Sequence, residues 1–435
     1  MLEQSMKVAN VVTILLLLFV SVCFGQGFSN DNHGTRAVGQ ANAFTARASD
    51  PSAIWYNPAG ITQLNGTHIY LGGCGMIRNP EYYSQFYQAS YTSDNHFVMS
   101  PHIYLTLQLS KNLWAGLGFS TPTNYLQDWG DDPVNHAVRT SDTFKVYSYV
   151  ISPCLSVKIH EKISIGLGMH YQMSNIRLVK WDRIEIENLA QQELGITVTD
   201  YYLRSDYKLS SKGLAFFGGI QARMSETLLL GFAYQGGWDN ESTGTLDFKH
   251  KDTEYPNLDP LVEAAFPDAD IVLNGRTMVH QLTFGLGVIV SSKFECEVNY
   301  NHKLWSQSER WEYSLSNPHI EEDLSYTDEG EVSWNWENSG SLRLGGEYHV
   351  NPSLDVRAGL SFNSSPIPNN SLMAVVPDSK HWDVHLGAAY KINKWKIDIG
   401  YVHKFYTKRA NLDWYGMMLE KSQGSLFAIS LGMGI

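Results

Sequence analysis

From about residue 67 onward, apolar and polar residues alternate with a period of two, the spacing that puts one set on each face of a β-strand. Trp382, Val384, Leu386, Ala388, Tyr390 and Ile392 share one face, and Asp383, His385, Gly387, Ala389 and Lys391 share the other. After Asn393-Lys394 the alternation resumes, with Trp395, Ile397, Ile399 and Tyr401 set against Lys396, Asp398 and Gly400. Leu282 to Val290 and Phe294 to Tyr300 repeat it around Ser291-Ser292-Lys293. Fourteen such segments can be placed: near 67–77, 98–109, 113–122, 144–159, 163–178, 213–224, 228–236, 279–290, 294–305, 339–350, 354–363, 381–392, 395–406 and 424–435. An even number of amphipathic segments, each about ten residues long, predicts a transmembrane β-barrel.

The links between segments alternate too. Short ones fall at Ser110–Asn112, His160–Lys162, Ser225–Thr227, Ser291–Lys293, Asn351–Ser353 and Asn393–Lys394, and the longest lie near 179–212, 237–278 and 306–338. Tight turns at one end and long loops at the other are the asymmetry of outer-membrane barrels. A soluble β-sandwich would alternate as well, but its second face would be a dry core. Here that face carries Glu295, Glu297, Arg343, Glu347, Arg357, Lys396 and Asp398, which a water-lined lumen accommodates and a dry core does not. The expectation is an all-β, 14-stranded antiparallel transmembrane barrel over residues 67–435, closed so that lipid meets no free edge. The last strand, with Phe427, Ile429, Leu431, Met433 and Ile435 on one face, resembles the terminal strand by which barrels are recognised for insertion.

Residues 1–25 read as a signal peptide: Lys7 precedes an apolar run from Val11 to Val22, and Gly25 is a small residue at a plausible cut site. That run is too short to span a bilayer as a helix. Val22 is a poor neighbour for a lipoprotein cut at Cys23. The composition agrees with export to a membrane: 36 glycines, 24 tyrosines, 12 tryptophans and only 17% charged residues. Cys74, Cys154 and Cys296 remain after cleavage, an odd and scattered set that makes neither a disulfide framework nor a zinc site. A net charge of −12 argues against nucleic acid as a partner.

Residues 26–66 lie between the signal and the first strand. Their stretch from Arg36 to Leu64, with Asp50-Pro-Ser-Ala-Ile-Trp-Tyr-Asn-Pro-Ala-Gly60 at its centre, resembles the N-terminal plug of the long-chain fatty acid transporter family (FadL/TodX). Ala115 to Tyr125, His302 to Ser308 and Val356 to Pro368 followed by Val376-Pro-Asp378 resemble, in order, that family's third strand, its Trp-Ser-Gln strand end and its eleventh strand. The resemblance implies a barrel with residues 26–66 folded inside as a plug. It implies an apolar ligand pocket and a sideways exit into the membrane through a kink in the third strand. Pro122 either makes that kink or ends the strand, since proline cannot donate to a ladder. Phe28, in Gln26-Gly-Phe28, is similar to the family's N-terminal Gly-Phe that reaches the pocket. Asn57, Pro58 and Ala59 would shape the plug turn beside the gap, with Trp55 and Tyr56 packing the plug on the wall.

The function implied is passive uptake of hydrophobic molecules, long-chain fatty acids first and aromatic hydrocarbons as the alternative, by a monomer in the outer membrane whose partners are that ligand and lipid. A carboxylate would need a cation at one end of an apolar pocket; Lys145, Arg177, Arg343 and Arg357 have the right sign, although the family's basic pocket residues do not align on them. No cofactor or metal is expected, and no catalysis. The Gly-x-Gly pairs at Gly116, Gly166 and Gly285 sit within strands and lack the rest of a nucleotide loop. His170, His349 and His385 face inward as polar lining. A general porin would lack the plug, a barrel lipase would bring a serine and a histidine into contact on the lumen side, and an adhesin would act through the long loops.

Overall fold

The computed structural model describes residues 30–84, 88–94, 96–130, 141–184, 187–195, 197–198, 201–250, 257–320, 326–372, 376–411, 417–421 and 423–435; the signal peptide and Phe28 lie outside them. These residues form fourteen antiparallel passes: β1 (Thr67–Arg78), β2 (His96–Gln108), β3 (Leu113–Ser120 and Asn124–Asp128), β4 (Ser141–His160), β5 (Ile163–Ile184), β6 (Tyr201–Arg223), β7 (Leu228–Gln235 and Trp238–His250), β8 (Ala269–Met278 and Gln281–Ile289), β9 (Phe294–Lys303 and Arg310–Ile320), β10 (Tyr326–Ser333 and Ser339–Asn351), β11 (Leu354–Asn363), β12 (His381–Ile392), β13 (Trp395–Tyr406) and β14 (Gln423–Gly434). The sheet closes on itself. β1 pairs with β2 on one side and β14 on the other, so that Leu71 stands opposite both Ile103 and Leu431.

Leu117, Leu167, Leu214, Phe216, Phe284 and Ile429 stand exposed on the outer face. A belt of large apolar side chains around the whole circumference is the surface of a protein solvated by lipid. The opposite face is polar and buried, with Ser152, Gln221, Asn299, Glu347 and Asp398 among its residues.

The short links are turns where the pattern placed them. The long links are not loops. β5, β6, β7, β8, β9 and β10 continue as strands well past the ends that alternation marked, and helices Glu187–Leu194 and Asp259–Ala265 occupy part of what remains. The reason is visible on β6. Leu214, Phe216 and Ile220 face lipid, but Lys208, Ser210 and Lys212 follow on the same outer face while Leu203 and Leu209 turn inward and are buried. The apolar side changes from outside to inside where the strand leaves the membrane. The period survives and its phase inverts, which reads in sequence as the end of a strand.

Residues 31–48 and 51–62 are buried against the inner wall. They carry helices α1 (Thr35–Val38) and α2 (Ala53–Tyr56) and the 3-10 helix Pro58–Gln63. The wall receives them at inward-facing glycines. A Cβ on Gly359 would lie 2.7 Å from the Ala41 nitrogen, one on Gly231 2.5 Å from the Thr45 oxygen, and one on Gly166 2.5 Å from the Pro58 carbonyl carbon. These glycines mark where wall backbone meets segment backbone, and two consecutive left-handed residues, Ala41 and Asn42 (φ 57° each), bend the segment to follow the curve.

Candidate functional site

The wall has an opening built into its hydrogen-bond ladder. β2 and β3 pair from Gln108–Trp114 to Ile103–Phe119 and then stop. β3 itself breaks at residues 121–123 and resumes at Asn124 against β4 only. Pro122 lies in that break and Pro101 lies on the facing stretch of β2; neither has an N–H for a rung. What holds the edges is sparse. Thr123 N–H donates to Ser148 Oγ (2.9 Å), Ser148 N–H donates to the Thr123 carbonyl (2.7 Å) and Asn124 Nδ2 reaches the Met99 carbonyl (2.5 Å). Pro122 therefore interrupts β3 without ending it. Pro101, which sequence reading passed over, is the second half of the interruption; a proline inside an alternating run was the signal available.

The residue that meets the break is Asn30, whose N–H donates to the Pro122 carbonyl at 2.7 Å. Asn57 does not. Its side chain accepts from Ala59 N–H (3.2 Å) at the start of the 3-10 helix and donates to the carbonyls of Thr45 (2.9 Å) and Ile220 on β6 (3.0 Å). The Pro58 carbonyl accepts from Ser156 Oγ on β4 (2.7 Å), and Ala59 is fully buried there. The expected neighbourhood of Asn57 and the gap is thus corrected: Asn57-Pro58-Ala59 anchor the segment against β4–β6, and its first described residues meet the opening. Trp55 packs on His33 (centroids 4.2 Å) and His170 (5.4 Å). Tyr56 Oη accepts from His33 N–H (3.1 Å) and donates to Asn42 Oδ1 (2.7 Å).

Ion pairs fix the segment to β9 and β10. Asp31 bonds Lys303 (2.8 Å) and Arg343 (2.5 Å); Arg36 bonds Glu347 (2.9 Å), which also holds Arg357. Glu297 accepts the backbone N–H groups of Thr45, Ala46 and Arg47 at 2.6, 2.7 and 2.8 Å. Burial alone would raise the Asp31 pKa, but the charges of Lys303 and Arg343 outweigh it and hold the carboxyl below the usual range. Burial would likewise lower the Arg36 pKa, and Glu347 and Glu295 reverse the sign. His33 goes the other way: burial depresses its imidazole to about 4, against a smaller upward pull from Asp31.

That shift makes a prediction. With a native pKa below the ordinary 6.5, His33 contributes stability that is complete above pH 6.5 and is lost as pH falls toward 4, on the order of 3 kcal/mol across the window. Amides 33–40 should exchange with solvent much faster at pH 4.5 than at pH 7, beyond the intrinsic rate change. The effect should vanish in His33→Gln, and a wild-type response equal to the variant's would refute it.

Of the proposed carboxylate anchors, Arg177 is half exposed on the outer side and paired with Asp206 (2.8 Å), and Lys145 lies over the Tyr147 ring. Arg343 and Arg357 belong to the pairs above, Arg357 also holding Asp398 (2.6 Å). All six buried lysines and arginines among the described residues (Arg36, Arg47, Lys303, Arg343, Arg357, Lys404) lie within 3.5 Å of a carboxylate. The trio Glu295, Glu347 and His349 has metal-ligand spacing, but arginines hold both acids and Asp355 holds His349 at 2.7 Å.

Beyond the segment, toward the long-link end, the inner face is apolar. Tyr125, Phe144, Ile176, Leu209, Leu246 and Ile271 line it with Trp305, Trp311, Trp334 and Trp336, whose rings meet edge to face at 4.9–5.5 Å. A cavity of about 10 Å³ lined by Pro122, Asn30, Trp55 and Trp305 lies between this apolar cluster and the break in β3. It holds at most one water. Larger hollows of 640–930 Å³ lie on the lipid-facing wall.

A model of the family described as outer membrane protein transport protein (OMPP1/FadL/TodX) matches residues 16–421. The chain belongs to this family. It is similar to an outer membrane protein of Neisseria meningitidis serogroup B, 24% identical over 432 residues that cover 90% of this chain and 89% of the relative. Its fold matches the crystal structure of a FadL homologue from Pseudomonas aeruginosa with a TM-score of 0.80 at 18% identity, covering 94% of this chain and 100% of that one. The toluene transporter TodX of Pseudomonas putida matches with a TM-score of 0.71 at 15% identity, over 91% and 98% of the two chains. At such identities the likeness establishes the barrel fold. Membership of the FadL/TodX family places that barrel in the outer membrane as a transport protein.

Two serine–histidine contacts bear on the enzyme alternative within this FadL/TodX chain. Ser152 Oγ lies 2.8 Å from His170 Nδ1, but no acid of the described residues orients that ring. Ser361 Oγ lies 3.4 Å from His385 Nε2, whose Nδ1 bonds the Val38 carbonyl at 2.7 Å. Both serines are buried. A triad needs an oriented base and a nucleophile open to substrate, and the family's members are transport channels.

Proposed function

We propose that this protein carries hydrophobic molecules passively across the outer membrane, and that long-chain molecules, fatty acids among them, are its substrates. A substrate enters the apolar, tryptophan-lined chamber from outside, displaces the contacts around Asn30 and leaves sideways between β2 and β3 into the bilayer. Residues 26–66 act as the plug. The observation that carries this reading is the interrupted ladder at residues 121–123, whose Pro122 carbonyl accepts from Asn30 N–H. Phe28, two residues before Asn30, belongs to the same reading as a contact to the substrate. The four-tryptophan cluster favours a second reading, aromatic hydrocarbons, because aromatic pairs gain about 0.5–1.5 kcal/mol beyond area burial.

A cross-link across the opening tests the path. Thr121 Oγ1 lies 3.4 Å from the Pro101 carbonyl, so Pro101→Cys with Thr121→Cys, in a chain whose three native cysteines are replaced by serine, should form a disulfide. Oxidation should abolish transfer of a fluorescent C16 fatty acid into proteoliposomes, and dithiothreitol should restore it; Phe28→Ala in the unlinked chain should slow the same transfer. Undiminished transfer in the oxidised protein would refute the sideways exit.

A further inference from the structure

The inner wall divides into two chemistries. Its charged residues gather on β9–β13, where each buried cation meets an acid. On β2–β5, every polar side chain that the described residues bury is a serine, threonine, glutamine or histidine. That neutral wall surrounds the break in β3. Val150 on β4 pairs with Ser120 on one side and Gln172 on the other. His102 neighbours Ile103, the last residue of β2 to pair with β3. His170 is the next inward residue of β5, and its ring lies 6.2 Å from that of Trp238.

Several polar atoms in this band, and Trp238 Nε1 facing it from β7, have no hydrogen-bond partner: in the band they are both ring nitrogens of His102, Thr123 Oγ1, His170 Nε2 and Gln172 Oε1. All five residues are at most 3% exposed. Buried donors and acceptors in native proteins are nearly always satisfied, so unpaired atoms on the wall around one break call for a visitor that pairs them. The visitor's charge is constrained as well. An ionised carboxylate held by this band would lie against a low-dielectric wall that offers it no cation, since β2–β5 bury no lysine or arginine among the described residues.

We propose that this band binds the uncharged, hydrogen-bonding head of a long-chain amphiphile, an alcohol or an acid carrying its proton, while the chain lies in the apolar chamber. The proposal rests on the transport reading above and names its substrate class. A carboxylic acid would leave its charge outside, and an alkane would leave the band unsatisfied.

The test is equilibrium binding of labelled hexadecanol, hexadecane and palmitate at pH 8 to the full-length protein in nanodiscs, with empty nanodiscs as the reference. Hexadecanol should bind about tenfold more tightly than either of the others. His102→Leu and Gln172→Leu should each weaken hexadecanol by about tenfold and leave hexadecane unchanged, and His102→Gln, which keeps a donor and an acceptor, should retain binding. The wild-type order needs no variant and so stands even if a leucine variant fails to fold. Palmitate binding more tightly than hexadecanol at pH 8, equal binding of hexadecanol and hexadecane, or equal loss of all three ligands in the variants would overturn the proposal. If none of the three binds, the transport reading itself falls.

Discussion

Deletion of residues 30–60 should leave a folded, heat-modifiable barrel whose single-channel conductance is higher by on the order of tenfold, because a fourteen-stranded wall is wider than the eight strands that side chains alone can fill. The fourteen passes close through their own ladder, from β1–β2 round to β1–β14, and no rung of that ladder uses the deleted residues. The deleted stretch instead supplies what now fills the middle: Phe44 and Ile54 are fully buried there, and Asp31 and Arg36 are buried with their partners Lys303, Arg343 and Glu347. Without it the acids and bases of β9–β13 would face water, where they need no partner. Planar-bilayer recording checks the conductance and unheated gel mobility checks the fold. A folded deletion mutant that conducts no better than the intact protein would show that the segment does not fill the channel.

Glu347→Ala should lower stability by about 3–5 kcal/mol, the range for stripping one member from a buried charge cluster. Glu347 is 1% exposed and holds Arg36 of the segment and Arg357 of the wall together. Its loss leaves two guanidiniums sharing Asp398 and the more distant Glu295. The same change on the outer wall, Val384→Ala, meets lipid in both states and should do far less. Urea unfolding in vesicles, followed by the gel-mobility shift, measures both. A Glu347→Ala loss below 1 kcal/mol would mean that water enters the cluster freely.

The sequence carried the barrel and not its height. Period two survives everywhere because the backbone imposes it, but the sign of the pattern depends on solvent. Outside the bilayer, Lys208 and Lys212 take the face that Leu214 and Phe216 take within it, and strands that continue unbroken look like loops. At the site, Pro122 was legible because proline has one backbone meaning in a strand. Asn57 misled because its motif, Asn-Pro-Ala-Gly, describes a capped turn, and a turn's chemistry does not say which strand it rests on. Asn30, His102 and Gln172 gave no local signal. Asn30 matters through a contact more than ninety residues away in sequence, with Pro122, and His102 and Gln172 through their place on strands beside the break; period-two reading sees only neighbours.

The glycine seats have a mechanical consequence. From Gly39 against Gly387 to Pro58 against Gly166, the segment is clamped backbone to backbone along most of its length, and sliding it as a body would drive it into the wall. Its tip, Asn30 to His33, has no such seat and is held by the Pro122 carbonyl, Lys303 and Arg343 and by the stacking of His33 on Trp55. It is built like a cantilever, rigid along the beam and compliant at the end that covers the opening. Throughput would then be set by how easily four residues swing, whereas alterations to the clamped stretch would register in how well the barrel assembles.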